Sequence, residues 1–213
     1  MIKPRHRASI GLSLIATVLL GACASPKGEL LPPSTSYGSQ TTSPDEYNYL
    51  IGPGDEVQIF VWRNPEVSQS VTVRPDGKIS TPLVEDLQAS GKTPTQLARD
   101  LEKALETYIR QPIVTVIVAG GIGPYSEQIR VVGQAAKPQA IAYKRKMTLL
   151  DVMIAVGGLT EFADGNNAKI VRVVDDQQKE YLARADDLLN DGDINANVDM
   201  LPGDILIIPE SWF

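Results

Sequence analysis

The chain has one cysteine, Cys23, and one histidine, His6. A lone thiol forms no intrachain disulfide, no CxxC redox pair and no multi-thiolate zinc site. It acts as a nucleophile only beside a base that lowers its pKa, and His6 sits among Lys3, Arg5 and Arg7 in a basic start that reads as a targeting segment. Glu85/Asp86, Asp175/Asp176 and Asp186/Asp187 are adjacent acid pairs, and a glycosidase needs two carboxylates at a defined separation. Neighbours on a strand point to opposite faces, and 26 acidic residues produce adjacent pairs by chance. No catalytic residue is therefore expected. Asp191, Asp193, Asn195 and Asn197 have the every-second-residue oxygen spacing that opens an EF-hand loop, but Ala196 replaces its glycine and Pro202 its closing glutamate. A surface loop before the last strand is expected there, and no metal. The run GGIG, Gly120 to Gly123, lacks the Lys-Ser/Thr of a phosphate loop and reads as an interdomain hinge, so no cofactor is expected either.

The elements around these residues begin with the N-terminus. A basic start, the apolar run SIGLSLIATVLLGA (Ser9 to Ala22) and small residues before Cys23 follow the order of a secretory signal. The run is shorter than the ~20 apolar residues of a membrane span. Its end, LGAC, resembles the bacterial lipobox, in which the cysteine is acylated and becomes the first residue of the mature chain. The resemblance implies a lipoprotein signal peptide at residues 1–22 and lipid attachment at Cys23. Ala24, in place of Asp, implies the outer membrane. Each buried CH₂ of such an anchor contributes about 0.8 kcal/mol. Residues 23–47 are rich in Pro, Ser, Thr and Gly without an apolar period, the composition of a flexible tether.

Over the whole chain 43% of residues are hydrophobic and 22% charged, which predicts a packed body beyond the tether. Loss of Lys3, Arg5 and Arg7 takes the net charge from −6 to −9, which argues against a nucleic-acid partner.

Two units are expected. In residues 48–122, DEVQIFVW (55–62), SVTVRPDGKIS (70–80) and PIVTVIVA (112–119) carry strand composition, with a turn at Arg74, Pro75, Asp76 and Gly77. Thr93 as N-cap, Pro94 at N1 and Gln96 closing a capping box predict one helix. Its apolar stripe is Leu97, Leu101, Leu105 and Tyr108. In residues 123–213, QIRVVG ending at Gly133, AIAY, AKIVRVV, KEYLA and DILIIP read as strands. A helix starts after Thr148, has Asp151 at N3, and ends at Gly157 and Gly158. This is an α+β pattern, and a β-grasp arrangement is expected for the second unit.

Two turns look alike: Gly52, Pro53, Gly54 and Asp55 open the first unit, and Pro202, Gly203 and Asp204 lead into the last strand. Pro sets φ, Gly supplies the unusual conformation and Asp bonds its own turn, so these are structural turns.

Together the stretches carry a resemblance. YLIGPGDEVQIFVWRNPEVSQSVTVRPDGKISTPLVEDLQASGKTPTQLARDLEKAL resembles the polysaccharide export domain of Wza-type outer-membrane lipoproteins. QIRVVGQAAKPQAIAYKRKMTLLDVMIAVGGLTEF, running on to LPGDILIIPESWF, resembles the soluble-ligand-binding β-grasp (SLBB) domain that follows it. VWRNPE, GLTEFADGNNA and IIPESWF resemble the export proteins of exosortase/PEP-CTERM systems. The resemblance implies a non-catalytic homo-oligomeric ring at the outer membrane through which exopolysaccharide leaves the cell, with an inner-membrane polysaccharide co-polymerase as partner. Larger relatives continue into a pore-lining helix, whereas only PESWF follows the last strand here. An outer-membrane β-barrel partner, or a collar with Trp212 and Phe213 at the interface, is the corresponding expectation. Tyr125, Tyr143, Tyr181, Trp62 and Trp212 are able to stack on sugars, although aromatics more often serve core or interface. The alternative function is a monomeric lipoprotein adaptor that binds a soluble sugar for a separate exporter.

Overall fold

A computed structural model describes residues 38, 39 and 41–212. Cys23, the signal at residues 1–22 and Phe213 lie outside the described residues.

The strands of the first unit begin with β1, Glu56–Val61, whose alternation puts Val57, Ile59 and Val61 inside. β1 pairs antiparallel with β2, Gln69–Thr72, on one side and with β5, Val114–Gly120, on the other. Between them run the hairpin of β3, Lys78–Thr81, with β4, Val84–Gln88, and helix α1, Pro94–Leu105. The capping box forms as the sequence predicts: Thr93 Oγ1 accepts from the Gln96 amide at 3.2 Å, and Gln96 Oε1 accepts from the Thr93 amide at 2.8 Å. Leu97, Leu101 and Leu105 are buried against Ile51, Ile59, Ile79 and Val116 in one core.

Tyr108 departs from the expected stripe. The helix ends at Leu105 and the Tyr108 and Ile109 amides both turn back to the Leu105 carbonyl, so the 3.6-residue period no longer applies. Tyr108 is left 61% exposed, and Ile109 packs on the core instead. The Arg74–Gly77 turn also has a different setting. Gly77 has φ +79 and its amide bonds the Arg74 carbonyl at 2.8 Å, but the strands on its two sides enter different sheets, since β2 pairs with β1 and β3 with β4. β4 was not among the expected strands.

The second unit has a five-stranded mixed sheet in the order β7-β6-β10-β8-β9. Its strands are β6, Gln128–Gly133, β7, Ala140–Ala142, β8, Ala168–Val174, β9, Gln177–Ala183, and β10, Ile205–Ile208. The first and last strands lie parallel in the middle, each flanked by an antiparallel partner. With helix α2, Leu149–Val156, burying Leu149, Val152, Met153 and Val156 in the same core as Ile129, Val131, Leu206 and Ile208, this is the β-grasp arrangement, and the fold as a whole is α+β. The Asp151 carboxylate accepts from both the amide and the hydroxyl of Thr148 at 2.9 and 2.8 Å. Gly157 and Gly158, at φ +80 and +87, end α2. A short helix that the sequence did not announce, α3, Ala185–Leu189, buries Ala185 and Leu188.

Part of the stretch read as tether is held in place. Tyr47 meets Tyr143 edge to face with ring centroids 4.8 Å apart, Asp45 pairs with Lys146 at 2.9 Å, and Ser39 Oγ donates to Glu127 Oε2 at 2.9 Å. Composition alone predicted flexibility through residue 47; two aromatic rings and a buried carboxylate supply contacts that composition does not register.

Candidate functional site

The two Pro-Gly-Asp turns share one geometry. In each, the aspartate amide bonds the carbonyl three residues back at 3.2 Å, Asp55 to Gly52 and Asp204 to Leu201. In each, the carboxylate accepts from the amide of that same residue at 2.8 Å. Gly54 and Gly203 have φ +88 and +85, a conformation with little cost only for glycine. Both aspartates are fully buried, so their charge must be compensated by hydrogen bonds or a counter-ion.

The compensation differs between them. Asp204 is met by the Arg172 guanidinium, Nε to Oδ1 at 2.8 Å and Nη2 to Oδ2 at 2.7 Å, the bidentate fork that suits a carboxylate. The bond to Asp204 holds the Arg172 pKa above its ordinary value, and the same guanidinium lies 5.7 Å from the Tyr181 ring centre. Asp55 forms no salt bridge to a cation among the described residues; it accepts from Tyr49 Oη, the Gly52 amide and the Gly123 amide instead. Burial, and then the bond to Asp55, push the Tyr49 hydroxyl well above the usual tyrosine range. Burial first, then the Glu127 charge, raise Tyr47 to about 12.

Through Asp55 the first turn reaches the segment between the two units. Gly121 and Gly52 lie so close to it that a Cβ on Gly121 would sit 1.9 Å from Asp55 Oδ1 and one on Gly52 2.2 Å from the Gly123 carbonyl carbon. Gln128 Nε2 donates to the Gly123 carbonyl at 2.9 Å. The segment read as a hinge is therefore tied on both sides. Gly133, the other glycine singled out in the sequence, closes β6 beside Ile208, whose carbonyl would stand 2.0 Å from an added Cβ.

The acid pairs are spent on local structure. Asp86 and Asp76 both grip Arg74. Asp175 and Asp176, at φ +53 and +57, form the tight turn between β8 and β9. Asp187 bonds Asn166 and Arg184, and Asp186 accepts from Asn190. In the loop with calcium-like spacing, Asp193 accepts from the Asn195 amide and pairs with Arg184 at 3.1 Å, while Asn197 Oδ1 accepts from the Leu150 amide. Among the described residues no group of three or more His, Cys, Asp or Glu is placed to hold a metal ion. Of the aromatics, Tyr143 is buried. Trp62, Tyr125, Tyr181 and Trp212 are exposed, and Phe60 lies beside Trp62 with ring centres 6.4 Å apart.

Sequence reasoning missed Tyr47, Tyr49, Glu127 and Arg172. A tyrosine pair two residues apart in an otherwise polar stretch was the one available signal for the first two.

Comparison with known proteins agrees with this architecture. The polysaccharide biosynthesis/export protein family matches residues 43–119, and the SLBB domain family matches residues 128–183. The chain thus carries an export domain followed by an SLBB domain, the arrangement for which it resembles the Wza-type polysaccharide export proteins. Individual relatives include the exopolysaccharide production protein ExoF of Rhizobium meliloti strain 1021, 26% identical over 147 residues, which are 64% of this chain and 34% of ExoF. The capsule polysaccharide export outer membrane proteins CtrA of Neisseria meningitidis serogroups A and B are each 30% identical over 141 residues, 66% of this chain and 32% of CtrA. The matched region spans about a third of the length of these relatives. Among the described residues no helix is long and apolar enough to cross a membrane.

Proposed function

We propose that this protein is a non-catalytic subunit of an exopolysaccharide export conduit, anchored by lipid on Cys23 to the outer membrane and facing the periplasm. Copies of the chain assemble into a ring through which the polymer passes. The observation that carries the reading is the succession, on one chain, of a match to the polysaccharide biosynthesis/export family at residues 43–119 and a match to the SLBB family at residues 128–183. Polymer contacts in such a conduit are weak and repeated, because tight binding would stall transport. An inner-membrane polysaccharide co-polymerase delivers the chain.

A further observation favours assembly over a monomeric adaptor. Phe60, Trp62, Ile113 and Ile117 are each about half exposed. They lie together on the outer face of the β1–β5 pair, where Gln58 stands opposite Ile117 and the Trp62 amide bonds the Ile113 carbonyl. Exposed large apolar side chains gathered on one sheet face, with Gln58 and Thr115 between them, are what a subunit contact covers.

Light scattering on the detergent-extracted acylated protein, beside a Cys23→Ala form, tests the reading. A discrete assembly, weakened without the anchor, is expected. A monomer in both forms, with saturable binding of short oligosaccharides, would replace the ring by the adaptor.

A further inference from the structure

The chain enters the export domain by way of the SLBB domain. Tyr47 packs on the core of the second unit, against Tyr143, and Tyr49, two residues later, packs on the core of the first. Alternate side chains of one extended segment thus join two cores. Upstream, Asp45 lies between Arg145, which donates to its carbonyl, and Lys146, which pairs with its carboxylate at 2.9 Å. Ser39 reaches Glu127, which precedes β6 at the foot of the interdomain segment. Residues 38, 39 and 41–49 therefore form a second connection between units already linked covalently at 120–127, and two separate connections prevent the rotation that one alone permits.

The strength of this connection is graded along its length. From 38 to 49 the described residues form no helix or strand, so their backbone lacks a ladder to hold it. The Asp45–Lys146 pair is 67% exposed on both sides, and exposed ion pairs hold weakly. Segments with few buried contacts open at a small fraction of the global stability. Tyr49 is different, since it is bonded to the buried Asp55.

We infer that residues 38, 39 and 41–47 are a releasable strap: docked on the SLBB domain, they hold it fixed against the export domain, and when they undock the two domains turn about Gly120–Gly123 as the long Gly123–Asp55 bond, 3.4 Å, gives way. Tyr47 is the latch, because it is the strap residue that enters the second core. Docking of this segment is thereby coupled to the angle between the domains.

Hydrogen exchange of the full chain in detergent tests this, read at three sets of amides. These are Glu46 in the strap, Gly52, Gly123 and Glu127 at the junction, and β1 and β10 in the two cores. Tyr47→Ala is expected to speed exchange at the strap and the junction by roughly ten-fold while β1 and β10 keep their rates. Arg145→Ala/Lys146→Ala removes only exposed partners and is expected to give roughly two- to five-fold at the same amides. Faster strap exchange with an unchanged junction in both variants would overturn the proposal. If Tyr47→Ala speeds the cores as much as the junction, the double variant decides, since neither of its side chains is buried.

Discussion

Arg172 on β8 and Asp204 before β10, 32 residues apart in sequence, meet through two parallel N–H···O bonds, and the aspartate is completely buried. Removing the guanidinium strands a buried carboxylate, whereas Lys would restore charge without the fork. Arg172→Ala is expected to cost roughly 3 kcal/mol, and Arg172→Lys about half of that, as read by urea unfolding followed by circular dichroism. Equal stability of Arg172→Ala and wild type would show that the turn does not depend on its counter-ion.

The glycines of the first turn separate two physical causes. Gly54 has φ +88 with nothing within 4 Å of an added Cβ, so Gly54→Ala costs only backbone strain, about 1 kcal/mol. Gly52→Ala drives a methyl into the backbone at Gly123, 2.2 Å away, and the overpacking reaches at least ~3 kcal/mol. Thermal melts of the two variants are expected to rank in that order. The reverse order would place the domain contact elsewhere.

The helix stripe yields a contrast. Leu101 is fully buried, and Leu101→Ala is expected to cost about 2–5 kcal/mol. Tyr108 is largely exposed, and Tyr108→Ala is expected to lie within about 0.5 kcal/mol of wild type. A large loss at Tyr108 in the monomer would mean that the sequence period, and not the helix end at Leu105, describes this face.

Alkaline titration reports on the strap. The Tyr47 pKa is about 12 in the fold against 10.0 for an unperturbed tyrosine, because burial disfavours the phenolate. A folded-state pKa above the unfolded one adds stability that is complete below pH 10 and lost as pH rises through about 12. Ultraviolet titration is expected to show Tyr47, Tyr49 and Tyr143 ionising late, all three raised chiefly by burial. With Tyr47→Phe one late step disappears. If the late absorbance is unchanged in that variant, Tyr47 is not docked in solution.

Much of the fold was legible because its causes are local. Alternation in VQIFV set the buried face of β1, the Thr93/Gln96 and Thr148/Asp151 boxes set the starts of both longer helices, and QIRVVG and AKIVRVV matched β6 and β8 to the residue. Both Pro-Gly-Asp turns were recognised for the same reason, since proline, glycine and aspartate act within three residues of themselves. The short elements β4 and α3 escaped because their acidic sequences carry little apolar pattern.

What the sequence by itself determined is therefore the inventory: the strands, the capped helices, the turns and the family resemblance they carry. Only the tertiary structure decided which of these meet. Alternation says which side of a strand is buried but not its neighbour, so the parallel pairing of β6 with β10 and the separation of β2 from β3 into different sheets had to come from packing. The same holds for the partners of the two buried aspartates, Arg172 for Asp204 and Gly123 for Asp55, and for the entry of Tyr47 and Tyr49 into different cores. These contacts join residues far apart in sequence, and their energy exists only once the chain has paid the entropy of closing the loops between them.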